Sequence, residues 1–292
     1  MKKRYYSFVA LTITFAMLIL TTGCGVRING NDYELFKVSD EDKHELSFGI
    51  GSESSNTQQI SEDKQDGEQF FVDSNAGNIE IKKSDSTQVE IKADKKVRGS
   101  SDDDKQTILD NMNIALERDG KIIKVVIKTK DGKDFWDWQK DKFRTYQINI
   151  NYYISLPQGI NLINADTGAG NIDIKDAAAK LTLDTGAGNI VVKDVTALQD
   201  STLSTGAGNI DFEGDVDDIS SFDASTGAGN IDFQVPGDTE MSLEADTGIG
   251  VLSGDFIDSD EDNKFHFSGD INGGGPSVTL DTGVGNISVG KD

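Results

Sequence analysis

The side chains best equipped for chemistry are few. Cysteine occurs once, at Cys24, and histidine twice, at His44 and His266. One cysteine excludes an intramolecular disulfide, a cysteine-based zinc site and an iron–sulfur cluster. The two histidines stand far apart and neither adjoins a nucleophile in sequence, which leaves little for a His-based metal centre or a catalytic triad. Carboxylates are the abundant reactive group: 51 Asp and Glu against 28 Lys and Arg, a net charge of −23. A surface that negative repels nucleic-acid phosphates and anionic membranes, so nucleic-acid binding is set aside. No catalytic residue is assigned, and the composition points away from an enzyme.

Cys24 has a context that gives it a role. Lys2, Lys3 and Arg4 precede a mostly apolar run from Tyr5 to Leu20. Sixteen helical residues span about 24 Å, short for a hydrocarbon core of roughly 30 Å. The pattern is that of a signal peptide over residues 1–23. Leu20-Thr21-Thr22-Gly23-Cys24 resembles a bacterial lipobox, which implies that Cys24 is lipidated and becomes the new N-terminus. Lipid on that cysteine would anchor the chain outside the cytoplasm, on the cell membrane. Residues 24–66 are polar and acidic with little periodicity, and read as a tether. His44 lies in it.

The elements that position the carboxylates come from a repeat. Thr167-Gly168-Ala169-Gly170-Asn171-Ile172 recurs letter for letter from Thr185, Thr205 and Thr226. Variants start at Thr247 and Thr282, with a degenerate copy at Ser74. The repeat glycines and asparagines are Gly168, Gly170, Asn171, Gly186, Gly188, Asn189, Gly206, Gly208, Asn209, Gly227, Gly229, Asn230, Gly283, Gly285 and Asn286. Apolar residues alternate before each Thr, as in Leu181 and Leu183, and after each Asn, as in Ile190 and Val192. Ala169, Ala187, Ala207, Ala228, Ile249 and Val284 continue the first alternation and are expected on the same apolar face. The parity then shifts by one residue, which a glycine corner at Gly-Asn can supply. Each unit is strand, corner, strand and loop in about 20 residues. Two short strands cannot bury their apolar side alone. The expected fold is all-β: a β-solenoid of successively stacked coils, with an antiparallel sandwich as the rival.

The repeated T-G-A-G-N-I-D-I-K-D block resembles the bacterial putative-adhesin family of β-solenoid domains. The resemblance covers roughly Gln69 to Asp292 and implies a surface location and a solenoid more firmly than adhesion. The folded part is accordingly assigned to residues 67–292, with a cap and irregular coils over 67–164 and regular coils over 165–292. Ser101 followed by three aspartates caps one short helix in that first part. Asp119-Gly120 signals a hairpin, and Tyr146 to Leu156 alternates as a long strand closed by Pro157. Phe135, Trp136, Trp138, Phe143 and Tyr146 suit either a hydrophobic plug or a sugar-stacking platform.

Stacking also places acids in columns. Asp166, Asp184, Asp246 and Asp281 precede the repeat Thr, and Asp173, Asp211 and Asp232 follow it by six places. Parity turns both sets outward. Carboxylates about 4.8 Å apart repel, so either bound Ca²⁺ or simple solvation relieves them. Ca²⁺ is the one ion considered, and no cofactor is otherwise expected. Asp258 to Asn263 mimics a calcium loop but would place Gly269 where a bidentate Glu is required. The leading functional expectation is a lipid-anchored, non-catalytic envelope module for adhesion-like interaction or scaffolding, with an unidentified protein or polysaccharide ligand. Two rivals are an accessory or sensor in envelope-stress signalling, and a polysaccharide-active β-helix enzyme.

Overall fold

The computed structural model describes residues 26–28, 31–33, 52–65, 67–216, 219–257 and 264–292. The signal segment, Cys24, His44 and the loop 258–263 lie outside the described residues. Two units are distinguished, Met1–Phe48 and Gly49–Asp292. In the first, β1 (Val26–Ile28) and β2 (Asn31–Tyr33) pair antiparallel.

The second unit is all-β apart from two short helices among the described residues. It opens with β3 (Glu53–Asp63), β4 (Gln69–Ser74), β5 (Ile79–Ser84) and β6 (Gln88–Arg98). Helix α1 (Asp102–Asn111) leads to the hairpin of β7 (Asn113–Asp119) and β8 (Ile122–Lys128). Helix α2 (Phe135–Lys142) and the long β9 (Gln147–Pro157) follow. The repeats then supply β10 (Leu162–Ala169), β11 (Ile172–Lys175), β12 (Ala178–Ala187), β13 (Ile190–Ala197), β14 (Ser201–Ala207) and β15 (Ile210–Asp215). They continue as β16 (Ser221–Ala228), β17 (Ile231–Val235), β18 (Met241–Ile249), β19 (Leu252–Ser253), β20 (His266–Ile271), β21 (Ser277–Val284) and β22 (Ile287–Lys291).

Strands before and after the corners form separate parallel ladders. Before the corners, Thr167 pairs with Thr185, Thr185 with Thr205, Thr205 with Thr226, Thr226 with Thr282 and Thr282 with Thr247. After them, Ile79, Ile172, Ile190, Ile210, Ile231, Ile287 and Leu252 pair in turn. None of these seven is more than 1% exposed. Burying each contributes about 1.5–3 kcal/mol, which a lone two-strand unit could not collect. Phe212, Phe222 and Phe233 thicken the same core, with ring centres 4.6–5.2 Å apart.

Four sequence expectations need correction. First, the repeat units do not pair strictly in succession. The last unit, β21–β22, lies between the Thr226 and Thr247 units, while β20 turns back antiparallel onto β18. The loop from β17 to β18 therefore skips one strand position, which the C-terminal strands fill. Second, Ala169, Ala187, Ala207, Ala228, Ile249 and Val284 are exposed. Parity breaks directly after the Thr, so the corner begins one residue earlier than the Gly-Asn pair.

Third, the tether does not run to residue 66. β3 pairs with β6 along its whole length, from Glu53 with Arg98 to Asp63 with Gln88. Ile60 is its one apolar side chain, and polar contacts such as Thr57 with Asp94 and Gln58 with Ile114 add to the backbone pairing, so hydrophobic periodicity could not reveal it. Fourth, α2 is a second helix, capped by Asp134, whose side chain accepts the Asp137 N–H at 2.9 Å. The α1 cap is the one expected: Ser101 Oγ accepts from the Asp104 N–H at 3.2 Å.

Candidate functional site

Each corner is held by three residue types with separate tasks. The repeat Thr is buried, so its hydroxyl needs a partner. Thr185, Thr205, Thr226, Thr282 and Thr247 donate to the carbonyls of Gly170, Gly188, Gly208, Gly229 and Gly285 at 2.7–2.9 Å. Thr167 donates to Gly77 at 3.1 Å. In each case the acceptor belongs to the neighbouring unit in the stack. The Asn side chains form a second ladder. Asn171, Asn189, Asn209, Asn230 and Asn286 each donate a backbone N–H to the Oδ1 of the Asn one rung earlier, at 2.8–3.0 Å.

Glycine is required because the corner backbones approach closely. A Cβ on Gly188 would stand 2.0 Å from the Gly170 carbonyl oxygen, and one on Gly186 would stand 2.5 Å from that of Gly168. Two rungs of the Asn ladder were hidden in sequence. Asn151, on β9, accepts from Asn78 although no glycine corner surrounds it. At the far end the Val251 N–H donates to Asn286, and valine offers nothing onward. Val251 sits in the terminal rung, where no further acceptor is needed. That departure from Asn was the available signal that the Thr247 unit ends the stack.

The outward acids fall into clusters. The column before the Thr runs Asp73, Asp166, Asp184, Ser204, Ser225, Asp281 and Asp246. Two serines thus separate Asp166 and Asp184 from Asp281 and Asp246. On the other ladder the order is Glu80, Asp173, Val191, Asp211, Asp232 and Ser288. Partial burial pushes the Asp166 carboxyl above its ordinary range, and the charges of Asp73 and Asp184 add to the effect. Burial raises Asp173 too, with Glu80 assisting and Lys175 opposing. Asp211 is raised by burial and Asp232, against Lys193. Burial first, and like charge second, thus disfavours the ionised form of all three.

His266, which has no reactive neighbour in sequence, gains one in space. Its Nδ1 lies 2.7 Å from Asp246 Oδ1, on the paired strand. The aromatic cluster is knit together: Phe135 is buried, Trp138 and Phe143 centre 5.1 Å apart, and the Tyr146 hydroxyl donates to Asp104 at 2.6 Å. The rings pack on one another and on the core, as a plug does. Elsewhere, a groove of about 440 Å³ includes Glu80, Lys82, Glu90, Lys92 and Tyr153, and Lys92 Nζ lies 4.8 Å from the Tyr153 ring centre. Among the described residues no helix is long and apolar enough to cross a membrane.

No family model and no curated protein matches the chain. Several solved structures are similar at low identity. One is a "putative cell adhesion protein" from Clostridium sporogenes, at 14% identity and TM-score 0.45, with 82% of this chain and 100% of that one covered. A "putative adhesin" from Bacteroides fragilis is 13% identical with TM-score 0.36, covering 81% and 97% of the two chains. A "putative lipid binding protein" from Parabacteroides distasonis is 13% identical with TM-score 0.30, covering 82% and 96%.

Proposed function

We propose that this chain is a lipid-anchored, non-catalytic module of the cell envelope, a β-solenoid that offers a stiff, acidic surface to an adhesion-like protein or polysaccharide partner. The observation that carries the reading is the in-register corner column. The buried Thr hydroxyls, Asn side-chain oxygens and glycine backbones of the repeats are engaged with neighbouring repeats, which leaves mostly short side chains facing outward, Asp, Ser and Thr along the strands and Ala at most corners. Such a surface is suited to display and contact. The apolar segment ending at Cys24 supports anchoring through lipid on that cysteine, with residues after it as a short tether to the folded unit. An anionic partner would reach the face only through cations, because the net charge is −23.

The experiment is proximity labelling from the anchored protein in living cells, alongside Cys24→Ser. The expected result is palmitate incorporation and membrane fractionation in the native chain, both lost in the variant, with extracellular proteins or glycans labelled. Labelling confined to an integral membrane regulator would replace this reading with an envelope-stress sensor. New reducing ends or unsaturated products from pectin, alginate or peptidoglycan would replace it with an enzyme.

A further inference from the structure

We propose that the outward face of β18 and β20 is a binding site for a borderline divalent cation such as Zn²⁺, with His266, Asp246 and Glu244 as ligands. The antiparallel pairing of these strands sets Asp246 opposite His266 and Glu244 opposite Ser268. Strand parity buries Leu243 and Ala245 and turns Glu244, Asp246 and His266 to one face. One ligand atom from each lies within 4.8 Å of the others, and the His266–Asp246 pair is already at 2.7 Å. Metal–nitrogen and metal–oxygen distances of about 2.0–2.2 Å keep ligands roughly 3–3.5 Å apart. Rotation of exposed carboxylates closes that gap without moving backbone. β18 is hydrogen-bonded on both sides, to β20 and to β21, so the donors stand on a fixed frame.

Charge and ligand type narrow the ion. Asp281 pairs with Asp246 in register and adds a further carboxylate beside the site. Among the described residues no Lys or Arg forms an ion pair with Glu244, Asp246 or Asp281. An imidazole with two carboxylates suits Zn²⁺ and its borderline relatives, whereas Ca²⁺ and Mg²⁺ select all-oxygen sets. Three protein ligands leave a position for water. The inference rests on the imidazole and stands apart from the functional reading above.

The test is calorimetric titration of Zn²⁺ into the full chain, purified in detergent with any free Cys24 thiol alkylated. One equivalent should bind in the native chain. His266→Ala should weaken binding at least about tenfold, Glu244→Gln should weaken it as well, and Asp173→Asn on the other ladder should leave it unchanged. His266 is exposed, so its variant keeps the fold, which circular dichroism checks; Asp246→Asn provides a second removal of a ligand. The proposal is overturned if the native chain takes up no Zn²⁺. It is equally overturned if His266→Ala binds as the native chain does, or if Asp173→Asn loses as much as His266→Ala, the behaviour of diffuse counterions.

Discussion

Gly188 shows how a single position is dictated by its neighbours. Its Cβ would collide with a backbone carbonyl, which cannot rotate away as a side chain could. Gly188→Ala is therefore expected to cost about 3 kcal/mol or more, read as a fall in the denaturation midpoint. Thr205→Val removes the donor to the Gly188 carbonyl and should cost about 1–3 kcal/mol. Asp166 tests the opposite sign. Its folded-state pKa is raised, so the unfolded chain holds the ionised form more readily. Its penalty is absent below the ordinary carboxylate range near 3.8 and grows as pH rises through the folded value. Asp166→Asn should then stabilise the protein at neutral pH by about 0.2–1 kcal/mol, and by nothing in acid. A thermal melt series across pH checks this; a gain that persists in acid would contradict the charge explanation. At this scale the repeat corner was legible in sequence because backbone contact demands the same letters each time. His266 with Asp246 was not, since that pair is made by a strand that turns back from outside the repeat.

Among elements, the C-terminal strand pair has an unexpected weight. β21 and β22 come after the other described strands in sequence, yet each lies between two partners in its ladder. Removing residues 277–292 would strip β18 and β19 of their parallel neighbours and expose Phe233 and Leu243. Loss of cooperative unfolding is expected, measured by coincidence of fluorescence and circular dichroism transitions. A truncated chain that still melts cooperatively within a few degrees of the intact one would refute the placement. Ser101→Ala should cost α1 about 1 kcal/mol. Alternating hydrophobics made β9 and the repeat strands readable before any coordinates. β3 escaped because a strand held by backbone pairing and polar side-chain contacts leaves no apolar rhythm. The displaced repeat unit escaped because spacing counts residues between repeats and says nothing of the slot each one fills; only Val251 in place of Asn hinted at it.

For the molecule as a whole, the proposed function rests on a frame whose buried repeat threonines and corner backbones are satisfied by repetition. Parallel ladders alone would leave open edges that recruit other chains. Here β20 covers one edge antiparallel, and β3 with β6 extends the other ladder. The repeats stand in register in the order Thr226, Thr282, Thr247. The most direct measurement uses paired cysteines in a Cys24→Ser background. Ser225 lies beside Asp281, whereas Asp246 is one strand further on, about 9.6 Å away and beyond disulfide reach. Under mild oxidation, Ser225→Cys with Asp281→Cys should cross-link within the chain, and Ser225→Cys with Asp246→Cys should not. The reverse pattern would contradict this order and mean that the repeats stack in the order of the sequence.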